Sequence, residues 1–423
     1  MVVRFSSISA VEILDSRGRP TVCVRAILAD GQCIRSGVPS GASTGSREAV
    51  ELRDHDDRYG GQGVQRAVAN VNGPIADALT GRAFVFLEEV DDALRALDGT
   101  PDKSRLGANA IIGVSMAAAR AFAADSGDPL WRYLIQPGVV PRLPVPHFNV
   151  INGGAHARNG LGFQEFMIAP LGAPSLSEAV RAGAEVYRRL RSMLVDRNLG
   201  TGLGDEGGFA PEVDSEDEVL ALLTEVIDDA GYTAGRAGVA IALDPAASEF
   251  HHDGSYRLGW KTLGSDELIE HYKSIVTKFP VWSIEDGMGE HDTEGWQKLT
   301  KALGDRIQLV GDDNFVTNPE LIASAARAGI ANAALIKVNQ IGTVSETLEA
   351  LSVCRQAGYG AMISHRSGET DDTFIADLAV ASGCGQIKAG APARGERVAK
   401  YNRLLEIAEA AKELDFGLAP DHH

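Results

Sequence analysis

Six short apolar runs between residues 239 and 388 each end in a side chain able to carry charge. The run from Val239 ends in Asp244, that from Val281 in Glu285-Asp286, and that from Ile307 in Asp312-Asp313. Ala334-Leu335-Ile336 ends in Lys337, Ala361 to Ser364 in His365-Arg366-Ser367, and Gln386-Ile387 in Lys388. From Glu285 onward the interval is about 25 residues, room for one strand, one helix and two short loops, the unit of a parallel barrel. Strand ends of that kind share one mouth, so acids, lysines, an arginine and a histidine converge there. A single acid after a strand is more often a helix cap. Six successive charged ends against apolar runs are not explained by capping, because charge beside a core is costly unless paired or metal-bound.

Three other stretches could deliver chemistry to that mouth. Gly202-Leu203-Gly204-Asp205-Glu206-Gly207-Gly208-Phe209 holds two acids in backbone that no helix tolerates, and reads equally as a sharp turn with solvated acids or as a close approach to a ligand. Pro39-Ser40-Gly41-Ala42-Ser43-Thr44-Gly45 is small and rich in hydroxyls, either a flexible connection or a lid. Asn152 to Gly160 interrupts two apolar runs and carries His156, which alone reads as a surface histidine.

The elements that must position these groups follow from periodicity. Residues 3 to 38 alternate as strands of a small antiparallel sheet, and Gln65 to Leu134 turn helical, with Val68, Val71, Ile75 and Leu79 on one stripe. Pro137, Pro141, Pro144 and Pro146 mark a boundary, placing an α+β unit over residues 1–136 and a barrel over 137–423. Two apolar runs (147–151 and 163–169) then precede helices expected over 177–197 and 215–230, the latter opening on Ser215-x-x-Glu218. Further helices are expected over 266–279, 319–328, 343–357, 371–381 and 394–413.

Composition narrows the function. The 423-residue chain carries a net charge of −18, which argues against a nucleic-acid partner or an anionic membrane surface and leaves the site itself to supply positive potential for an anion. Cys23, Cys33, Cys354 and Cys384 show no metal spacing and read as reduced thiols of a cytoplasmic protein. Glu12 and Asp15 fall where a secretory signal needs apolar residues, and no run is long enough to span a bilayer.

Dense local motifs resemble those of the enolases over nearly the whole chain. They are Asp15-Ser16-Arg17-Gly18, Ser40 to Gly45, Leu97 to Pro101, Ser104 to Ala110, Gly204 to Gly208, Ser283 to Asp286, Gly311 to Asp313, Leu335 to Gln340, and Ser364 to Thr370. The resemblance implies an α/β fold: an N-terminal α+β capping domain followed by an irregular (β/α)8 barrel that opens with two strands and then two helices. It implies a lyase that reversibly dehydrates 2-phospho-D-glycerate to phosphoenolpyruvate, with two Mg2+ per active site. Asp244, Glu285 and Asp312 match the carboxylates holding the first ion, and Ser43 the lid residue helping to hold the second. Lys337 matches the general base and Glu206 the general acid, with Glu165 beside it. His156, His365, Arg366, Ser367 and Lys388 match the groups receiving phosphate and carboxylate. On this reading, metals, Lys388 and Arg366 lower the pKa of Lys337, while Glu206 keeps its proton among other acids. A homo-oligomer, dimer or octamer, is implied as well. The chain departs from the usual pattern at Asn314, Gly395 and His147-Phe148. Those departures keep open a paralogue acting on a phosphonate, such as carboxyphosphonoenolpyruvate synthase, and more remotely a non-catalytic binding protein on the same fold.

Overall fold

Alternating apolar residues at the start of the chain produce a four-stranded antiparallel sheet. It consists of β1 (Val3–Leu14), β2 (Pro20–Leu28), β3 (Cys33–Gly37) and β4 (Ala83–Phe84), in the order β3-β2-β1-β4. The computed structural model describes residues 2–418 apart from Ser43, Arg158, Asp214 and Trp260. Strand β4 pairs through Val3↔Phe84 and Arg4↔Ala83 only, two residues too few for any periodicity to reveal. The expected stripe over residues 68–79 is real, with Val71, Ile75 and Leu79 fully buried. Its helix is nevertheless broken by a wider turn over Val71–Ile75, where Gly73 leaves helical backbone and Pro74 has no N–H to donate.

The helix Ala108–Ser126 is apolar nearly all round because it is covered on both sides. One side lies on β2 and β3, the other against the barrel helices Val338–Ile341 and Val344–Ala357. Gly113 permits the close approach to the sheet: a Cβ there would lie 2.7 Å from Val24 Cγ2 and 2.9 Å from Val38 Cγ2.

The rest of the chain forms a closed eight-stranded barrel. Its strands are β5 (Val145–Asn152), β6 (Glu165–Ala169), β7 (Ala240–Asp244), β11 (Val281–Glu285), β12 (Gln308–Gly311), β13 (Ala333–Ile336), β14 (Gly360–Ser364) and β15 (Gln386–Lys388). Between β7 and β11 a three-stranded ribbon inserts, β8 (His251–His252), β9 (Ser255–Leu258) and β10 (Lys261–Leu263). Strands β5 and β6 come first and are followed by the helices Leu176–Asp196 and Glu216–Asp229, the order that the resemblance implied. Strand β6 runs antiparallel to both β5 and β7, whereas the other barrel pairings are parallel. Every residue of the eight strands is buried, which accounts for their reading as continuous apolar runs. Two of the polar residues on them satisfy each other: Gln308 and Gln386 exchange amide hydrogen bonds of 3.0 and 2.8 Å, and Gln308 also donates to Ser283.

Helix starts follow the residues that signal them. Ser215 Oγ accepts from Glu218 N, Thr343 Oγ1 from Glu346 N, and Asn318 Oδ1 from Glu320 N and Leu321 N ahead of Pro319. Among the described residues no helix is long and apolar enough to cross a membrane.

Candidate active site

The barrel delivers its charged strand ends to one mouth. Asp244, Glu285 and Lys388 are the last residues of β7, β11 and β15, while Asp312, Lys337 and His365 each follow directly on β12, β13 and β14. Glu165 joins them for the opposite reason. It is the first residue of β6, and because β6 is reversed its beginning pairs with the ends of its neighbours, Glu165↔Asp244 and Glu165↔Asn152. His156, Glu165, Glu206, Asp244, Lys337, His365, Arg366, Ser367 and Lys388 line one cavity of about 20 Å³ with Gln164 and Ser364. That is room for little more than a water, so admitting a ligand requires the side-chain pairs within it to part.

Glu206 reaches the mouth on the glycine loop, which packs directly on β5. A Cβ at Gly204 would lie 2.6 Å from Asn152 Cβ, and Gly207 has φ +86°. The loop is therefore a close-packed platform rather than a solvated turn, and Glu206 is only 3 % exposed. Asn149 Nδ2 donates to its Oε2 at 3.1 Å. His156, on the interrupting loop, is buried as well; its Nδ1 lies 3.9 Å from both Glu165 and Glu206, and its Nε2 is 3.2 Å from Ser367 Oγ.

Charge is arranged in opposed groups. Lys388 Nζ lies 2.9 Å from Asp244 Oδ2, 2.8 Å from Glu285 Oε1 and 3.2 Å from Glu165 Oε2, and Lys337 Nζ sits against Asp312 Oδ2. These ammonium groups separate the expected cation ligands Asp244, Glu285 and Asp312, which do not form a common cluster. Instead, among the described residues the acid and histidine triads whose ligand atoms lie within 4.8 Å of one another are Asp286/Asp312/Asp313 and His156/Glu165/Glu206. Lysine supplies the countercharge that three converging carboxylates need.

Neighbouring charges set the direction in which Lys337 and Glu206 are shifted. Burial and the neighbouring Arg366 and Lys388 push Lys337 down, but the Asp312 carboxylate outweighs them and holds it above the ordinary lysine value. Burial pushes Glu206 up, while His365, His156 and Arg397 pull it down, leaving it well below the usual carboxyl range. His365 is itself pushed down to about 4 by burial; its Nε2 lies 3.1 Å from Glu206 Oε2, the oxygen to which Asn149 donates. Burial and the charge of Glu206 push Glu165 well above its ordinary value. Within this buried pair the surroundings favour the neutral form at Glu165 and the charged form at Glu206.

The groups expected to receive an anion are tied to neighbouring side chains. Arg366 makes a two-pronged pair with Glu48, Nη1–Oε2 2.9 Å and Nη2–Oε1 3.1 Å, and also donates to Asn339 Oδ1. Ser43 lies outside the described residues. Its neighbours Ser40 and Ser46 are fastened to the barrel, Ser40 by reciprocal backbone bonds with Gly368 and Ser46 by donation to Glu290.

Several further groups shape the site, and the sequence assigned none of them an individual role. Asp286 has φ 44° and accepts from the backbone N–H groups of both Asp312 and Asp313, fixing the turn that presents Asp312. Gln340 donates to Asp312 Oδ1 at 2.8 Å and to Glu48 at 3.2 Å. Ser16 and Arg397, far apart in the chain, meet behind His365. Of the unusual residues, Asn314 is buried with neither amide atom hydrogen-bonded, and His147 lies in the barrel floor against Trp282, pushed down to about 4 by burial. Neither lines the cavity.

A β/α barrel whose mouth sets lysines and an arginine among buried acids is that of an enzyme that moves protons on a small anionic acid. Comparison with known proteins gives the family. "Enolase, N-terminal domain" matches residues 5–134 and "Enolase, C-terminal TIM barrel domain" residues 141–416. The chain is 55% identical over 405 residues to the enolase of Rubrobacter xylanophilus, covering 95% of this chain and 94% of that one. It is 56% identical over 410 residues to the enolase of Acidothermus cellulolyticus, covering 97% and 94%. The chain belongs to the enolase family, and it is a lyase of that metal-dependent glycolytic family.

Proposed function

We propose that this chain catalyses the reversible, Mg2+-dependent dehydration of 2-phospho-D-glycerate to phosphoenolpyruvate and water. The observation that carries the reading is the gathering of Lys337, Lys388 and Arg366 with the Glu165/Glu206 pair around one cavity at the barrel mouth. No alteration falls on a group that lines it, which favours 2-phosphoglycerate over a phosphonate.

The acids fit a divalent cation. Asp244, Glu285 and Asp312 offer hard oxygens, Glu285 Oε2 is buried without a hydrogen-bond partner, and burial with the charge of Asp244 pushes Glu285 well above its ordinary value. Those three residues would hold one Mg2+, and Ser43 would help to hold a second. When bound, such ions supply positive charge that offsets the second negative charge arising on the substrate carboxylate as the α-proton leaves.

The chain's own groups do the rest. Lys337, once freed from Asp312, retains Arg366 and Lys388 as neighbours that favour its neutral form, and so becomes a base. A proton carried by the Glu165/Glu206 pair serves the departing hydroxyl, with Glu206 delivering it. Arg366, Ser367, His156, His365 and Lys388 receive the phosphate and carboxylate.

We also assign residues 1–136 to a capping domain and 137–423 to the catalytic barrel, and place the protein in the cytoplasm as a homo-oligomer, a dimer or an octamer. Assay of the purified protein with 2-phosphoglycerate tests the central part. Added Mg2+ is expected to support turnover, a chelator to abolish it, and fresh Mg2+ to restore it. Full activity in the presence of excess chelator contradicts the proposal.

A further inference from the structure

Arg397 is fully buried on the helix Gly395–Ala410, and its guanidinium lies behind the active-site wall rather than in the cavity. Nη1 lies 2.5 Å from His365 Nδ1 and 2.7 Å from the Arg366 carbonyl. Nη2 donates to the carbonyls of Ser367 (2.5 Å) and Asp205 (3.2 Å) and to Ser16 Oγ (3.3 Å). One side chain thereby ties together the loop carrying Glu206, the loop carrying His365 to Ser367, and the turn of the N-terminal sheet.

The contact with Nδ1 has only one chemical reading. Arginine has five donors, no acceptor, and does not give up its proton, so His365 Nδ1 must be the acceptor and carries no hydrogen. The remaining proton of a neutral ring is then on Nε2, which lies 3.1 Å from Glu206 Oε2 without lining up as a hydrogen bond and has no other partner. We propose that Arg397 is a positioning residue that fixes His365 as the Nε2–H tautomer, so that the ring presents a donor, and never a base, to Glu206 and the departing hydroxyl. This rests on the functional reading above for what the donor serves, but the tautomer itself does not.

The surroundings agree. Burial and Arg397 press His365 toward its neutral form, against the opposing pull of Glu206 and Glu369. Glu369 is itself paired with Lys400 at 2.9 Å, Lys388 lies on the neighbouring strand β15, and His156 approaches through Ser367.

The tautomer is measured without substrate or turnover, by long-range proton–nitrogen correlation spectra of protein labelled at histidine nitrogen, with His365→Gln to identify the signals. In the unsubstituted protein near neutral pH a neutral ring protonated on Nε2 is expected. In Arg397→Met a population protonated on Nδ1 is expected to emerge, and the ring to titrate closer to the ordinary value of about 6.5. In Arg397→Lys, which keeps a donor, the Nε2–H form is expected to be retained in larger part. For the reaction, kcat in Arg397→Met is expected to fall at least about tenfold, with KM less affected. An Nδ1–H or doubly protonated His365 in the unsubstituted protein, or an unchanged tautomer in Arg397→Met, overturns the proposal. Should the methionine variant fail to fold, the unsubstituted protein and Arg397→Lys still decide it. An intact tautomer shift in a protein inactive on 2-phosphoglycerate would instead count against the substrate assignment alone.

Discussion

Lys337→Ala is expected to lower kcat for 2-phosphoglycerate by about 10⁴-fold, the upper range for loss of a general base. It is also expected to abolish exchange of the substrate α-proton with deuterated solvent. Both expectations follow from position: Lys337 leaves β13 at the mouth, and its ammonium rests on Asp312, the carboxylate that a divalent cation would claim. The pair is buried, so removing the lysine leaves Asp312 with Gln340 as its remaining side-chain partner; a cation site is retained, and metal binding is not expected to be lost. Steady-state kinetics together with mass spectrometry of recovered substrate make the comparison. Unimpaired exchange in Lys337→Ala would assign proton removal elsewhere.

Glu206→Gln is expected to lower kcat by about 10²- to 10³-fold while leaving α-proton exchange in place. Glutamine keeps the contact with Asn149 but cannot deliver a proton carried by the pair with Glu165. Departure of hydroxide is then slowed, and proton removal at Lys337 is not. Because Glu165 is the member of the pair whose surroundings favour the neutral form, Glu165→Gln is expected to impair the same step. Equal loss of exchange and turnover in Glu206→Gln would mean that Glu206 acts before or together with the base.

The contrast between these two residues also marks what the sequence could reveal. Lys337, Lys388, Asp244 and Glu285 were legible because a parallel barrel makes position along the chain equivalent to position in space: the end of each apolar run is at the mouth. Glu165 breaks that rule. It begins its run, and only the reversal of β6 brings it to the site; local periodicity has no direction, and the resemblance alone placed it. The charges facing Lys337 and Glu206 are hidden from local sequence for a similar reason. The pairings of Lys337 with Asp312 and of Glu206 with His365 and Arg397 join segments about 25 to 190 residues apart, and electrostatics at such contacts is set by the closed barrel and not by neighbours in the chain.

The supporting shell was less legible still. Arg397 and Lys400 sit in a helix where basic residues read as solvated surface, yet both are fully buried under the loop that follows β14. The Asp15-Ser16-Arg17-Gly18 motif was visible as a turn and as part of the resemblance. What it does requires the fold: Ser16 exchanges backbone and hydroxyl bonds with Ser367 and Glu369, docking the N-terminal sheet on the loop that follows β14. Strand β4 and the break at Gly73 were missed because two residues, or one irregular turn, leave no periodic trace.

The most direct test of the central claim is kcat/KM of the unsubstituted protein, with saturating Mg2+, for 2-phosphoglycerate against phosphonate analogues. The cavity keeps the full set of Lys337, Lys388, Arg366, Ser367, His156, Glu165 and Glu206, and the unusual Asn314 and His147 lie outside it. A clear preference for 2-phosphoglycerate is therefore predicted, and a preference for a phosphonate, or no turnover of 2-phosphoglycerate at all, would contradict the account.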